Sequence, residues 1–148
     1  MAGKIVAISV SQTRGGPKQN VSAAQVIENH GLAGDAHAGD WHRQVSLLAQ
    51  ESIDRLQEAG QHKLKLTPGM FAENITTSGI DLTKLQAGDR LRLGDTVLLE
   101  ITQLGKECHT RCAIYQAIGD CVMPREGVFA KALSGGKIKV GDPVGTEE

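Results

Sequence analysis

Residues 4–11, KIVAISVS, alternate apolar and polar positions and are rich in Ile and Val, a period of two that predicts a β-strand. Residues 21–29 read equally as helix or strand. The Gly- and Asp-rich stretch 30–42, HGLAGDAHAGDWH, is a loop. RQVSLLAQ, 43–50, reads as a buried strand, and QESIDRLQEAG, 50–60, as a short helix ended by Gly60. TPGMFAENITTSG, 67–79, gives turn, strand, turn. Residues 87–105 give two strands around Gly94-Asp95, a hairpin signal. HTRCAIYQAIGD, 109–120, has the spacing of a short helix. Residues 128–144 close with a strand, a Gly-Gly turn and another strand. Gly-Asp recurs at Gly34, Gly39, Gly88, Gly94, Gly119 and Gly141 as turn punctuation, without the fixed period of a repeat. The pattern predicts a mainly β fold with short helices: a β-barrel with helical insertions, one domain over 1–148.

Composition narrows the class. Hydrophobic content of 40% and charged content of 22% exclude a disordered chain. A net charge of -1 provides no general attraction to nucleic acid or anionic membrane. Aromatics at 3% are too few for a base-stacking platform. No apolar run approaches the roughly 20 residues that span a bilayer. IVAISV near the start is too short for a secretory h-region, so a cytoplasmic protein is expected. Thiols stay reduced in that compartment, and clustered cysteines there read as metal-binding or reactive.

Candidate chemistry falls in two segments. In GDAHAGDWHRQ a Gly-rich loop can bend His37 and His42 toward one site, and Arg43 follows with a guanidinium shaped for bidentate phosphate. The alternative is a solvated loop with a packed Trp41. The second segment, QLGKECHTRCAIYQAIGDCVMPREG, holds Cys108, Cys112 and Cys121, the chain's three cysteines. Cys108 and Cys112 are four apart and share a face if helical. Lys106, Arg111 and a helix N-terminus would favour thiolate there. A thiolate attacks, carries sulfur or binds a soft metal. Cys121, beside Val122 and Met123, reads as a packed residue. The three cysteines with His109 also suit a zinc site, although no Cys-x2-Cys pair occurs. Phosphate-loop, His-Glu-x2-His and dinucleotide fingerprints are missing. Glu51, Asp54 and Glu58 mark a solvated helix face.

Four motifs in order, GLAGDAHAGDWHRQVSLL, PGMFAENITTSGIDLTKLQAGDRLRLGD, LLEITQLGKECHTRC and GVFAKALSGGKIKVGD, resemble a MOSC domain, the module named after the C-terminal part of molybdenum cofactor sulfurases. The resemblance runs from about residue 5 to residue 144 and is that of a compact, stand-alone, bacterial-type member, without the cysteine-desulfurase-like domain of the full sulfurases. It implies a MOSC-type β-barrel that binds molybdenum cofactor (molybdopterin with molybdenum or tungsten) and uses a cysteine near its metal or sulfur. HTRC is similar to the segment with the metal-ligating cysteine of amidoxime-reducing relatives, pointing to Cys112. The position after TQLGKE is similar to the cysteine of other small members, pointing to Cys108. FAENI suggests that Phe71, Glu73 and Asn74 border the pterin. Residue chemistry agrees: Arg43, Arg111 and Lys106 suit a phosphate, Asn74 and Glu73 a pterin edge, and Cys112 or Cys108 a metal or transferable sulfur. His37, His42 and His109 complete the expected cofactor-binding set. The expected partner is a molybdoenzyme or a sulfur donor protein, with no nucleic acid and no membrane. Two roles follow from the resemblance. One is a carrier that sulfurates or delivers the cofactor. The other is a small molybdenum-dependent reductase of N-hydroxylated compounds.

Overall fold

The computed structural model describes residues 2–13, 18–59, 65–105 and 126–147. In chain order these form β1 (Ala2–Val10), β2 (Gln19–Val21), β3 (Ala23–Ile27), β4 (Gly31–Leu32), β5 (Val45–Ala49), α1 (Gln50–Ala59), β6 (Ile75–Ser78), a 3-10 turn (Leu82–Lys84), β7 (Arg90–Leu93), β8 (Val97–Leu104), β9 (Val128–Ser134), β10 (Gly136–Lys139) and β11 (Pro143–Glu147). The main sheet runs β11-β7-β8-β9-β5-β6-β1-β2, and β11 also pairs with β1. That pairing closes seven strands into a barrel, with β2 attached beside the ring. β5 and β6 are parallel, because α1 lies in the crossover between them. A smaller sheet has the order β10-β3-β4.

The first strand serves two neighbours along one edge. Ala2, Gly3 and Lys4 pair with β11, while Ile8, Ser9 and Val10 pair with β2. On its other edge β1 pairs with β6, with a register shift between Ile5 and Ala7. Such a bulge bends a strand, and here it lies where β1 passes from one neighbour to the other.

Alternation along the strands builds the inner core. Val97, Leu99 and Ile101 of β8 are buried and meet Leu91 and Leu93 of β7 in the barrel interior. β5 is buried at all five positions because both of its faces are covered. Val45 and Leu47 point into the barrel. Leu48 belongs to a second cluster outside it with Ile53 and Leu56 of α1, Leu66, Phe71 and Phe129. Ile53 and Leu56 are three apart on one helical face, and burying each such side chain is worth roughly 1.5–3 kcal/mol. Glu51, Asp54 and Glu58 lie exposed on α1, as a solvated face requires.

The element expectations hold for 4–11, 43–50, the helix from Gln50 and the Gly94-Asp95 hairpin. The ambiguous 21–29 stretch is a strand. Two readings change. The 30–42 loop contains the short strand β4. Gly135-Gly136 does not join paired strands: β9 stays in the barrel while β10 pairs with β3, and Val140-Gly141 then turns the chain into a further strand, β11. Gly136 lies at φ +152, and a Cβ there would collide with the Thr96 hydroxyl, so the switch between sheets needs a glycine. The predicted helix at 109–120 and the stop at Gly60 lie outside the described residues.

Candidate functional site

β8 ends at Leu104, and the Gly105 N–H donates to the Gly127 carbonyl at 2.6 Å, just before β9. The residues that flank 106–125 therefore meet at one point on the barrel. Outward-facing β8 side chains at this point hold the loop that precedes β5. The Thr102 hydroxyl bonds the His42 carbonyl and lies 3.1 Å from the Phe129 carbonyl oxygen. Gln103 Oε1 accepts from Arg43 Nε at 3.2 Å and lies 3.1 Å from His42 Nε2. Gln103 Nε2 donates to the Gly105 carbonyl at 2.8 Å. The Arg43 guanidinium carbon stands 5.1 Å from the centre of the Phe129 ring, a cation–π contact. With Nε and its flat face engaged, the two terminal amino groups of Arg43 make no hydrogen bond among the described residues. Trp41 meets His42 edge-on with ring centroids 5.6 Å apart.

His37 belongs to a neighbouring, buried network. Lys18 Nζ lies 2.7 Å from Asp35 Oδ1 and 2.9 Å from His37 Nδ1, and the side chains of Lys18 and Asp35 are wholly inaccessible. Asp35 also accepts from the Ser11 and His37 N–H groups. Burial would raise the Asp35 pKa, but the bonds from Lys18 and Ser11, the Lys18 charge and the Asn74 amide outweigh it and hold it below the ordinary value. An ammonium only donates, so Nδ1 of His37 accepts and its ring proton sits on Nε2. Gly69, at φ +95, lets the next loop press against this network: a Cβ there would stand 2.6 Å from the Lys18 carbonyl oxygen.

Phe71, Glu73 and Asn74 follow on that loop and are buried. The Asn74 side chain accepts from the Ser46 N–H and hydroxyl and donates to the Ser9 carbonyl, tying β5, β1 and β6 together. Glu73 accepts from the Phe71 N–H and the Thr76 hydroxyl, each at 3.2 Å. Burial raises its pKa, partly offset by N–H donors at Gly69, Glu73 and Phe71 and by Thr76. Phe71 shares the outer cluster with Phe129, on whose ring Arg43 rests.

The structure thus brings His42 and Arg43 together at Gln103, places His37 with Lys18 and Asp35, and commits Glu73 and Asn74 to internal hydrogen bonds. Cys108, Cys112, Cys121, Lys106, His109 and Arg111 lie outside the described residues. Among the described residues no three His, Cys, Asp or Glu side chains converge as metal ligands, and no helix is long and apolar enough to cross a membrane. Lys18, Asp35 and Gln103 carry no signal in the sequence alone. Lys18 and Asp35 sit in turn-rich loops where a charge reads as solvated, and Gln103 reads as an ordinary outward position on an alternating strand.

The family model of the MOSC domain matches residues 34–145. The chain belongs to the MOSC domain family. That match takes in the 30–44 loop from Gly34, the Phe71–Asn74 turn, and both ends of the cysteine segment. YuaD from Bacillus subtilis has the same fold, with a TM-score of 0.78 at 17% identity over 97% of this chain and 94% of its own. YiiM from Escherichia coli superposes with a TM-score of 0.72 at 18% identity, covering 100% of this chain and 70% of its own. YiiM from Geobacillus stearothermophilus gives 0.71 at 21%, covering 99% and 75%. No curated protein matches the sequence.

Proposed function

We propose that this MOSC domain binds molybdenum cofactor and carries, sulfurates or delivers it to a molybdoenzyme, with a sulfur donor protein as the other partner. The supporting observation is Arg43: it is fixed through Nε on Gln103, near the end of β8, and stacked on Phe129, and its two terminal amino groups make no hydrogen bond among the described residues. A fork held this way suits a bidentate oxyanion such as a phosphate. The donor set fits the cofactor: Arg43, with Lys106 and Arg111, for the phosphate, and Cys112 or Cys108 as thiolate for the metal or a transferable sulfur. The bound cofactor would supply a soft, redox-active metal on a dithiolene. The buried Glu73 and Asn74 act in this reading by shaping the turn behind the site, since their polar atoms already have protein partners.

The test is purification without air from a host that makes the cofactor, followed by metal and oxidised-pterin analysis. Roughly one pterin per chain is expected, since a small barrel offers room for one such site. Arg43→Ala should retain far less pterin than Lys4→Ala, an exposed control on β1. Cys112→Ser should lose cofactor or persulfide while the fold persists. Equal retention by the Arg43 and Lys4 variants would sink the phosphate assignment.

A further inference from the structure

Gln103 makes three contacts that are satisfied in one orientation of its amide. The Gly105 carbonyl can only accept, so the NH2 group of Gln103 must face it. Oε1 then faces both Arg43 Nε and His42 Nε2. An amide oxygen only accepts, so His42 carries its proton on Nε2, and the lone pair of the neutral ring lies on Nδ1. We propose that Gln103 is a positioning residue: it aims the terminal amino groups of Arg43 at an oxyanion, sets the tautomer of His42, and ties both to the chain where it enters the cysteine segment. The proposal rests on the reading that Arg43 grips a phosphate.

Three observations support it. Arginine is long and rotamer-rich, and an anchored Nε together with the Phe129 ring orders it before any anion arrives, which strengthens binding without a new contact. The two histidines are then held at different ring nitrogens. His37 has its Nδ1 lone pair engaged by Lys18, whereas His42 has its Nε2 proton engaged by Gln103. The third contact runs along the backbone: Gly105, which accepts from Gln103, also donates to Gly127, so the described residues on either side of 106–125 are held together. One side chain therefore links the anion grip, the histidine and the root of the cysteine segment.

The test uses the full chain labelled with nitrogen-15, with inorganic phosphate as the probe. The wild type should show the neutral form of His42 as the Nε2–H tautomer. Gln103→Leu removes the acceptor and should give mixed His42 tautomers, with phosphate affinity down about three- to tenfold, the scale of one hydrogen bond. Gln103→Glu keeps the acceptor but loses the donor to Gly105, and should keep the Nε2–H tautomer. A Gln103→Leu protein with unchanged tautomer and unchanged phosphate affinity overturns the proposal. If the leucine variant does not fold, the glutamate variant decides: a lost Nε2–H signature overturns the proposal and a retained one supports it. Arg43→Ala separates this from the underlying reading. If it binds phosphate as the wild type does, the phosphate grip falls, while the His42 tautomer still decides whether Gln103 positions its neighbours.

Discussion

Thr77 on β6 is fully buried, and its hydroxyl has no hydrogen-bond partner among the described residues. It lies two residues from Ile75 and so shares that residue's face of the strand, the face that belongs to the barrel core. Valine has the same shape without the hydroxyl. Thr77→Val should therefore stabilise the fold by about 1 kcal/mol, read as a higher urea midpoint at unchanged slope. A lower midpoint would mean that the hydroxyl has an unseen partner. Glu73 poses the opposite problem, a buried carboxylate that keeps its donors. Its pKa is raised in the folded chain, so the folded state holds the proton longer than the unfolded one. Stability then falls as pH rises from 4.5, the ordinary glutamate value, through the raised value. Glu73→Gln has nothing to titrate and should lose that part of the fall, seen by comparing urea midpoints at about pH 5 and pH 8. Parallel pH profiles for the two proteins would show that Glu73 keeps an ordinary pKa. Asp35 does not enter this window. Its pKa is lowered, so its contribution disappears only as pH drops below the ordinary aspartate value.

Between β8 and β9 the barrel needs little to stay connected. The strands pair from Leu98 to Leu104, and the Gly105–Gly127 bond continues the ladder. A second clasp lies at Glu126, which accepts from the Ser52 hydroxyl at 2.7 Å and pairs with Arg55 at 2.5 Å. Replacing 106–125 with a short Gly/Ser turn should leave the barrel folded, with a cooperative thermal transition whose midpoint moves by less than about 5 °C, because loop-closure entropy changes slowly with length. The same protein should bind no cofactor. Collapse of the barrel on this replacement would show that the cysteine segment carries structure. How much of this was legible varied with the range of the contact. The β7–β8 hairpin could be read because a period of two flanks a Gly-Asp turn within one window. The pairing of β10 with β3 could not, because its partners meet across most of the chain. The break at Val140-Gly141 was hidden because KIKV continues the strand pattern without interruption. At the site, Arg43 stood out by its residue type. Gln103 acquires its meaning from a residue 60 positions away, and Lys18 from one 17 away.

On the scale of the whole molecule, the near-neutral charge conceals an ordered surface. Glu147, Arg90, Glu100 and Lys131 stand opposite one another on four successive strands, β11, β7, β8 and β9. Arg92 adds a two-pronged contact to Glu147 at 3.0 and 3.2 Å. Such exposed pairs contribute little to stability individually. Their alternating sign from strand to strand favours this order of neighbours, since each charge faces one of opposite sign. The family and barrel class were legible because four motifs appear in the right order, whereas the closure of the ring was not, because no local pattern announces which strands meet last.

That closure also sets a timetable. Of the described strands β1 is made before the others, and its partner β11 after all of them. Until then the Ala2–Lys4 part of one edge of β1 and the outer edge of β7 stand bare, and the chain is an open, curled sheet with two adhesive rims. Contacts this remote in sequence form slowly. The yield of folded protein in a crowded cell will depend on how long that open ring survives, more than on how stable the closed one becomes.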